Sequence, residues 1–321
     1  MICTVSLNPA IDKYLRLPRL ARGRHLEVEE VITSAGGKAI NVAGVLRTLG
    51  EPVELVGLFG GFTGAYILDA VEREGIRTHP VAIQAVTRTA FVMVEDDGTE
   101  TEVVEPGGAV SAGELDALRQ TLRAVAARAS IIVLSGSVPP GCPDDIYLQL
   151  LNDCPPDRPV IVDTSRRWLN AVLDRQYQGA PVRRPTIIKP NRREAEAATG
   201  MRLNTPGAIE RCLREFNQLG IALPCLSDGA RGLYTYCDGR LLHARAPVQV
   251  GVNTVGSGDA TVAGLAAGLA RGLDITATLR LAAACGAANA ITKECAQVHY
   301  RDLVRLVKET YCFSVPSVIG T

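Results

Sequence analysis

The sequence lacks both of the phosphate-binding loops that are most common in nucleotide-binding proteins. Nothing in its 321 residues matches G-x-x-x-x-G-K-[ST], and no G-x-G-x-x-G follows the first predicted strand. If this chain handles a nucleotide, it holds the phosphates with some other loop.

An excess of charge of one sign is also missing. Lys and Arg together number 34, as do Asp and Glu, and the chain has no basic block. A neutral chain gives no electrostatic reason to expect nucleic acid or an anionic membrane as a partner.

Long apolar runs, a secretory leader and paired cysteines are absent as well. The apolar stretch after Asp259 is interrupted by glycines and is too short to cross a bilayer. Residues 1–7 resemble a strand without a basic segment or cleavage site, which favours a cytoplasmic protein. The nine cysteines form no C-x-x-C pair, so we expect reduced thiols and no structural metal site.

The chain does contain a glycine-rich turn, Asn253-Thr254-Val255-Gly256-Ser257-Gly258-Asp259, followed by an apolar stretch over 262–270 that predicts a buried helix. The start of a helix offers free N–H groups and the positive end of its dipole, which together bind anions. A carboxylate beside them can take a proton from a hydroxyl group, as phosphoryl transfer to an alcohol requires. The alternative is that Asp259 only caps the helix.

Strand and helix patterns alternate in the first quarter of the chain. They predict strands over 1–8 and 53–59 and helices over 42–49 and 64–74.

Three further segments do not fit this alternation of strands and helices. Residues 12–17 and 24–33 alternate in polarity, and 86–105 has two β-rich runs around an Asp-Gly turn, which is typical of a hairpin. We expect these segments to form a small sheet of their own.

From about residue 114 the strand and helix patterns alternate steadily, which predicts a parallel sheet covered by helices. Four buried strands end in small or polar residues, at Ser135-Gly136-Ser137, Asp163-Thr164-Ser165, Lys189-Pro190-Asn191 and Ser227-Asp228-Gly229. Because ligands bind at the carboxyl ends of such strands, the endings predict one shared site, although ordinary loops are polar too. Residues 312–321 lack periodicity and are expected to be a loose tail or an oligomer contact.

Five motifs, in order along the chain, resemble the blocks of the ribokinase/PfkB carbohydrate kinase family. They are Gly36-Gly37-Lys38-Ala39-Ile40-Asn41, Ser135-Gly136-Ser137-Val138-Pro139-Pro140-Gly141, Lys189-Pro190-Asn191-x-x-Glu194, Ser227-Asp228-Gly229-Ala230-Arg231-Gly232, and the turn that ends at Asp259. The resemblance implies an α/β fold with a ribokinase-like three-layer α/β/α core, a mostly parallel sheet and a small β-sheet lid. It also implies a single kinase domain over 1–321, with the lid formed by about 12–33 and 86–107.

Within this family the chain is most similar to the bacterial branch of 1-phosphofructokinase and tagatose-6-phosphate kinase. The features that carry this likeness are Ser6-Leu7-Asn8-Pro9-Ala10-Ile11-Asp12, the Gly-Gly-Lys run, Thr87-Arg88-Thr89, Glu105-Pro106-Gly107 and Pro139-Pro140-Gly141. In this branch the lid often pairs with a second subunit, so the resemblance implies a homodimer formed through the lid.

The resemblance also implies roles for single residues. Asp259 aligns with the family's catalytic base, beside Gly256, Ser257 and Gly258, and the amides of residues 257–259 would stabilise charge on the transferred phosphoryl group. The implied substrate-binding residues are Asp12, Gly36, Gly37, Lys38, Asn41, Arg88 and Ser137.

Each of these polar residues also has a plainer interpretation. Asp12 can be a turn residue and Asn41 a helix cap. Lys38 and Arg88 favour a phosphorylated acceptor, because a phosphate monoester carries close to two charges. The alternative is that both are solvated surface charges.

The implied cofactors are ATP and Mg²⁺. The implied ATP-binding residues are Lys189, Asn191, Ser227, Asp228, Gly229, Ala230, Arg231 and Gly232. Asn191 and Glu194 are the family's element for Mg²⁺, with Glu194 acting through water. Their alternative role is to start a helix, where the dipole favours an acidic residue.

Three departures from the family pattern leave the exact sugar open. Ala39 replaces the usual Gly, Ala90 stands where fructose-phosphate kinases commonly carry Asn, and Arg166-Arg167 replaces Gly-Glu.

The sequence therefore predicts an enzyme, a phosphotransferase with an alcohol group as acceptor. The first choice of reaction is ATP-dependent phosphorylation of fructose 1-phosphate to fructose 1,6-bisphosphate, followed by tagatose 6-phosphate and fructose 6-phosphate as acceptors. A kinase for an unphosphorylated sugar or nucleoside is one rival. A non-catalytic sugar-phosphate sensor is the other, although a sensor has no need of the intact Gly256-Ser257-Gly258-Asp259.

Overall fold

The computed structural model describes residues 1–174, 176–177, 180–181, 183–247, 254–292 and 297–316. In chain order its strands are β1 (Ile2–Ser6), β2 (Ala10–Leu17), β3 (Glu30–Gly36), β4 (Val53–Phe59), β5 (Arg77–Ala82), β6 (Arg88–Glu95), β7 (Glu100–Val104), β8 (Ile131–Ser135), β9 (Val160–Asp163), β10 (Gln176–Tyr177), β11 (Ala180–Pro181), β12 (Ile187–Ile188), β13 (Leu223–Ser227), β14 (Leu233–Cys237), β15 (Arg240–Arg245) and β16 (Tyr311–Val315). Its helices are α1 (Lys38–Thr48), α2 (Gly61–Arg73), α3 (Ala112–Ala126), α4 (Ile146–Asp153), α5 (Arg166–Leu173), α6 (Arg192–Thr199), α7 (Pro206–Gln218), α8 (Ser257–Ala270), α9 (Ile275–Ala290) and α10 (Tyr300–Glu309).

A ten-stranded sheet, in the order β16-β15-β14-β13-β12-β9-β8-β1-β4-β5, forms the centre of the molecule. The strands from β13 to β5 run parallel to their neighbours, and β14, β15 and β16 are antiparallel. The central strands are almost continuous in Ile, Val and Leu, because helices cover both of their faces.

The helices form one layer on each face of this sheet. One apolar core joins the sheet to side chains of α3 to α7, and a second core joins it to α1, α2, α8, α9 and α10. This arrangement confirms the three-layer α/β/α class predicted from the sequence. Among the described residues, no helix combines the length and apolar character that crossing a bilayer requires.

A second sheet, in the order β3-β2-β6-β7, contains the segments predicted to form a small sheet. Only Leu7, Asn8 and Pro9 separate β1 in the large sheet from β2 in the small one. In the small sheet Ala90 pairs with Asp12 on one side and with Val104 on the other. These three residues therefore lie in one row across the sheet.

Helix α8 is buried along most of its length and packs very closely against α9. A Cβ atom on Gly264 would lie 2.5 Å from the Cα atom of Ala282, and one on Gly268 would lie 2.6 Å from Cγ2 of Thr278. This contact fixes the start of α8, where the glycine-rich turn lies.

Some predicted boundaries in the first quarter of the chain were wrong. Helix α1 begins at Lys38 rather than at residue 42, because Gly37 forms its N-cap with a φ of 100°. Helix α2 begins at Gly61 rather than at residue 64. Of the segment 24–33, only the part from Glu30 is a strand, and that strand continues to Gly36.

The predicted alternation after residue 114 ends at β14. Strands β14 and β15 form a hairpin around Asp238-Gly239, and a loose tail was the wrong expectation for residues 312–315, which belong to β16. Strand β16 gains backbone hydrogen bonds along the edge of the sheet, which an unpaired segment would leave to water. Residues 317–321 lie outside the described part of the chain.

The close packing of α8 against α9 predicts opposite effects for two Gly→Ala substitutions. Gly264→Ala should lower the free energy of unfolding by about 1–3 kcal/mol, because the new methyl group meets backbone atoms. Gly44→Ala in α1, whose new Cβ would meet only Oε2 of Glu74 at 3.7 Å, should raise that free energy by about 0.5–1 kcal/mol. Urea unfolding measures both changes, and equal effects would contradict the proposed packing constraint.

Candidate active site

A cavity of about 1240 Å³ lies at the carboxyl ends of the central strands, bordered by residues of the small sheet. Most of the residues predicted for the site line it: Asp12, Gly37, Lys38, Asn41, Arg88, Ser137, Lys189, Asn191, Glu194, Ser227, Gly229, Ala230, Gly232, Gly256, Ser257, Gly258 and Asp259. Gly36, Asp228 and Arg231 are not part of this lining; Gly36 adjoins Asp12, and Asp228 pairs with Arg231. The shared site expected at the strand ends is therefore a single continuous cavity in the described structure.

Asp259 is the third residue of α8 and is 5% exposed. Gly256, with a φ of 85°, is the N-cap of that helix, so the capping role considered for Asp259 is wrong. Nδ2 of Asn41 donates a hydrogen bond to Oδ2 of Asp259 over 2.8 Å. Burial raises the pKa of Asp259 to about 7, against the opposing effect of the Lys38 ammonium group. The carboxylate therefore takes up a proton far more readily than an exposed aspartate.

The amides at the start of α8 are not all available for a ligand. The N–H of Ser257 donates to the carbonyl of Thr254 over 3.2 Å, so this amide already has an acceptor within the turn. The N–H groups of Gly258 and Asp259 donate no hydrogen bond to any described residue. Asn289 in α9 holds the turn from behind, donating to the carbonyl of Val255 over 2.9 Å and to Oγ of Ser257 over 3.0 Å.

Two lysines converge on a carboxylate that the sequence analysis did not single out as a site residue. Oδ2 of Asp163 lies 3.2 Å from Nζ of Lys38, and Oδ1 lies 3.5 Å from Nζ of Lys189. Burial would raise the pKa of Asp163, but the two lysines outweigh it and lower that pKa. Lys38 is therefore an ion-paired residue of the cavity and not a solvated surface charge.

The carboxylates around Lys38 likewise outweigh the effect of burial on its pKa. Burial would lower the pKa of Lys38, but Asp163, Asp259 and Glu194 raise it above its ordinary value. The ammonium group stays charged near neutral pH and lies close to the carboxylate of Asp259.

Arg88, at the start of β6, is held at the end of the cavity near the small sheet. Its guanidinium group donates to the carbonyls of Asn8 and Glu105 and, over 3.1 Å, to Oγ of Ser137. Nδ2 of Asn8 also donates to Oγ of Ser137. Arg88 and Ser137, predicted separately from two motifs, therefore meet in one network.

Asp12 lies beside this network, on β2. Burial raises the pKa of Asp12 to about 6, against the effect of Arg88 and together with that of Glu102. Gly36 faces the same carboxylate, and a Cβ atom on Gly36 would overlap it. A glycine at position 36 therefore leaves room for the carboxylate of Asp12.

The predicted nucleotide loop is a short 3₁₀ turn over Gly229–Arg231. Asp228 does not face the cavity but pairs with Arg231 at 2.9 Å and with Arg192 at 3.5 Å, which stabilises the turn. Nε2 of His243 lies 2.6 Å from the carbonyl oxygen of Arg231.

His243 is a second residue that the sequence analysis missed. Its ring stacks on Tyr234 with centroids 4.0 Å apart and meets the edge of Phe313 in β16 at 5.1 Å. Burial lowers the pKa of His243, so the neutral ring that donates to the Arg231 carbonyl is favoured. The sequence analysis did not predict the hairpin that carries His243. The contact between His243 and the Arg231 carbonyl could therefore not be predicted either.

Asn191 and Glu194 form a capping box at the start of α6. Oδ1 of Asn191 accepts the N–H of Glu194 over 2.9 Å, and Oε2 of Glu194 accepts the N–H of Asn191 over 2.8 Å. Both residues also line the cavity, so the helix-start role and a role toward a ligand do not exclude each other.

The donor set suits a hydrated Mg²⁺ and not a metal held by protein atoms alone. Within the described ranges, no group of three or more His, Cys, Asp or Glu residues could hold a metal ion. Mg²⁺ keeps several waters and needs one or two carboxylates beside substrate phosphates. Glu194 borders the cavity, whereas Asp163 is buried, lies outside the lining and is paired with two lysines. Of these two carboxylates, Glu194 is the one that fits such an ion.

Comparison with known proteins agrees with this geometry. A family model described as pfkB family carbohydrate kinase matches residues 3–299, which confirms the resemblance drawn from the five motifs. Among solved structures, a Staphylococcus aureus protein described as a candidate phosphofructokinase is 28% identical, with a TM-score of 0.80 and coverage of 98% of this chain and 99% of that one.

Two further solved structures share the fold at lower identity. Phosphofructokinase-2 from Escherichia coli, in complex with fructose-6-phosphate, is 24% identical, with a TM-score of 0.86 and coverage of 96% of this chain and 98% of that one. A Thermotoga maritima protein described as a possible 1-phosphofructokinase is 22% identical, with a TM-score of 0.87 and coverage of 98% and 99%. These likenesses confirm the ribokinase-like fold.

Proposed function

Because the chain belongs to the pfkB family of carbohydrate kinases, it is a phosphotransferase with an alcohol group as acceptor, and we propose that this acceptor is a ketohexose phosphate and that the donor is ATP. The first choice is fructose 1-phosphate, converted to fructose 1,6-bisphosphate. One observation carries the proposal: the cavity has a buried carboxylate beside free amides at Asp259 and a fixed guanidinium group at Arg88.

In this proposal Asp259 is the general base. The acceptor oxygen attacks the γ-phosphorus of ATP, the bond from that phosphorus to the β,γ-bridging oxygen breaks, and the hydroxyl proton passes to Asp259. The hydrogen bond from Asn41 orients the carboxylate. A pKa of about 7 suits this task, because the carboxylate is ionised near neutral pH and still accepts a proton.

The negative charge on the transferred phosphoryl group needs positive groups around it. The N–H groups of Gly258 and Asp259 point from the start of α8, and the ammonium groups of Lys38 and Lys189 lie on either side of Asp163. Glu194, acting through water, would hold Mg²⁺, which when bound neutralises charge on the phosphate oxygens.

The acceptor's own phosphate is assigned to Arg88 and Ser137. An arginine binds phosphate through paired charge-assisted hydrogen bonds, and the hydroxyl of Ser137 lies 3.1 Å from the same guanidinium group. Asp12 lies on β2, two residues beyond the residue that pairs with Arg88, and is assigned to a sugar hydroxyl. The row that continues from Asp12 is apolar at Ala90 and Val104 and offers no further hydrogen bond to the sugar. Tagatose 6-phosphate is the second choice of acceptor, on the resemblance drawn from the sequence.

We also propose that two copies pair through the small sheet. The face of that sheet turned away from Ala90 and Val104 carries Val31 and Val103, which are 53% and 52% exposed. Phe91 lies directly beside Val103 on the neighbouring strand. An exposed apolar sheet face of this kind favours association with a second sheet.

Replacing the base predicts a loss of turnover that depends on its charge. Asp259→Asn should lower kcat by about 100- to 10,000-fold, because the proton then has no acceptor. In the wild type, kcat/KM should rise by about tenfold per pH unit below pH 7 and level off above it, as the carboxylate ionises. Asp69→Asn, which removes an exposed carboxylate of α2, is the matched control and should be neutral. Near-normal turnover of Asp259→Asn would overturn the assignment.

An acceptor panel tests the substrate class. We expect ATP-dependent phosphorylation of fructose 1-phosphate, fructose 6-phosphate or tagatose 6-phosphate in preference to fructose, ribose and adenosine. Arg88→Gln should raise the KM of the phosphosugar by about tenfold to a hundredfold and leave the KM of ATP unchanged. Arg16→Gln, on the adjacent strand and paired with Asp96, controls for loss of charge in the small sheet. A preference for unphosphorylated acceptors would contradict the role of Arg88.

Sedimentation velocity tests the proposed dimer. The wild type should sediment as a dimer at micromolar concentration, and the double variant Val31→Lys/Val103→Lys as a monomer, because buried ammonium groups are costly. Val304→Lys on α10, at a valine 38% exposed, should leave the dimer intact. A monomeric wild type would rule out this interface.

A further inference from the structure

Arg166 has a backbone conformation that L-residues with long side chains rarely adopt. Its φ is 58°, and among the described residues only one other non-glycine residue, Asp238, has a positive φ. Asp238 lies in the tight turn between β14 and β15, where Asp-Gly is favoured. Arg166 lies in no such turn. Strain of this kind persists where a site requires it, so Arg166 is a candidate functional residue.

The position of Arg166 in the fold places it at the middle of the cavity wall. It follows β9 directly, and β9 lies between β8, which leads to Ser137, and β12, which leads to Lys189. Arg166 itself lines the cavity. The residue therefore stands between the end assigned to the acceptor and the end assigned to the nucleotide.

The side chain of Arg166 is exposed and makes no ion pair or hydrogen bond within the described part of the chain. Its neighbour Arg167 differs in this respect, because its Nε lies 3.0 Å from Oδ1 of Asp144 and its guanidinium carbon lies 4.9 Å from the ring centre of Trp168. Of the two adjacent arginines, one is engaged by the protein and the other is left for a ligand.

We propose that Arg166 binds a phosphate group of the bound substrates, as a cation additional to Lys38, Lys189 and Arg88. The inference rests on the proposed function, since it needs phosphate-bearing ligands on both sides of β9. The guanidinium group suits either the polyphosphate chain of ATP or the phosphate of the acceptor, because both present anionic oxygens to paired N–H donors.

The test separates the backbone strain of Arg166 from the charge of its side chain. Arg166→Gly removes the charge and relieves the positive φ, so Tm should stay level or rise by roughly 1–3 °C while a kinetic constant worsens. The KM of ATP should rise by about tenfold to a hundredfold if Arg166 binds the nucleotide, and that of fructose 1-phosphate by as much if it binds the acceptor. A fall in kcat alone would assign Arg166 to the transferred phosphoryl group.

Asp238→Gly is the matched control, because it places glycine at the other non-glycine position of positive φ in the described residues, outside the cavity lining. It should leave every kinetic constant unchanged. Arg166→Asn is the second variant, since asparagine tolerates a positive φ and removes the charge without introducing glycine. If both Arg166 variants retain the wild-type KM values and kcat, the proposal is overturned.

Calorimetric titration distinguishes a failure of this inference from a failure of the proposed function. Titration of wild type and Arg166→Asn with ATP–Mg²⁺, and separately with fructose 1-phosphate, measures binding without turnover. Weaker binding of either ligand by the variant supports Arg166 even if the acceptor panel identifies another sugar. Equal binding of both ligands rejects Arg166 even if the wild type proves to be a phosphofructokinase.

Discussion

The buried carboxylate of Asp163, held between the ammonium groups of Lys38 and Lys189, is the contact on which the cavity depends. A buried charge is costly unless it is paired, and each of these three groups compensates the others. They come from the end of β9, the first residue of α1 and the residue after β12. One electrostatic cluster therefore joins three elements that are distant in sequence and sets the spacing of two positive charges at the cavity.

The position of the glycine-rich turn depends on the packing of two helices. Gly264 and Gly268 let α8 approach α9 closely, and Asn289 of α9 then reaches back to hold Val255 and Ser257. The amides of Gly258 and Asp259, which donate to no other described residue, therefore lie at the start of a firmly packed helix. Such preorganisation matters because groups already in place need no rearrangement when charge develops on the substrate.

Much of this site was predictable because its motifs occupy strand ends and helix starts. Local sequence indicated the glycine-rich turn before Asp259, whereas Arg88 and Ser137 were predicted from the resemblance to a known family. The pairing of Asp163 with two lysines was not predictable, because it depends on the order in which β8, β9 and β12 lie in the sheet. Motif spacing contains no information about that order.

The antiparallel edge of the large sheet, β14 to β16, was not predicted, although part of it has a local signal in the sequence. Asp238-Gly239 stands between two β-rich runs and is a hairpin signal, but the steady alternation of strands and helices predicted from residue 114 leaves no place for a hairpin. Strand β16 has five residues, and its partner β15 lies more than sixty residues earlier in the chain. A short edge strand with a distant partner leaves little local signal.

The stack of Tyr234, His243 and Phe313 has a consequence for the order in which the protein is completed during synthesis. The turn over Gly229–Arg231 is supported by His243, and His243 is in turn covered by Phe313 of the last described strand. The ribosome therefore completes β1, β2 and β6, which carry part of the cavity lining, long before it supplies Phe313. The support of the turn over Gly229–Arg231 is complete only after β16 has paired with β15, so this turn is the later of the two parts of the cavity to gain its full set of contacts.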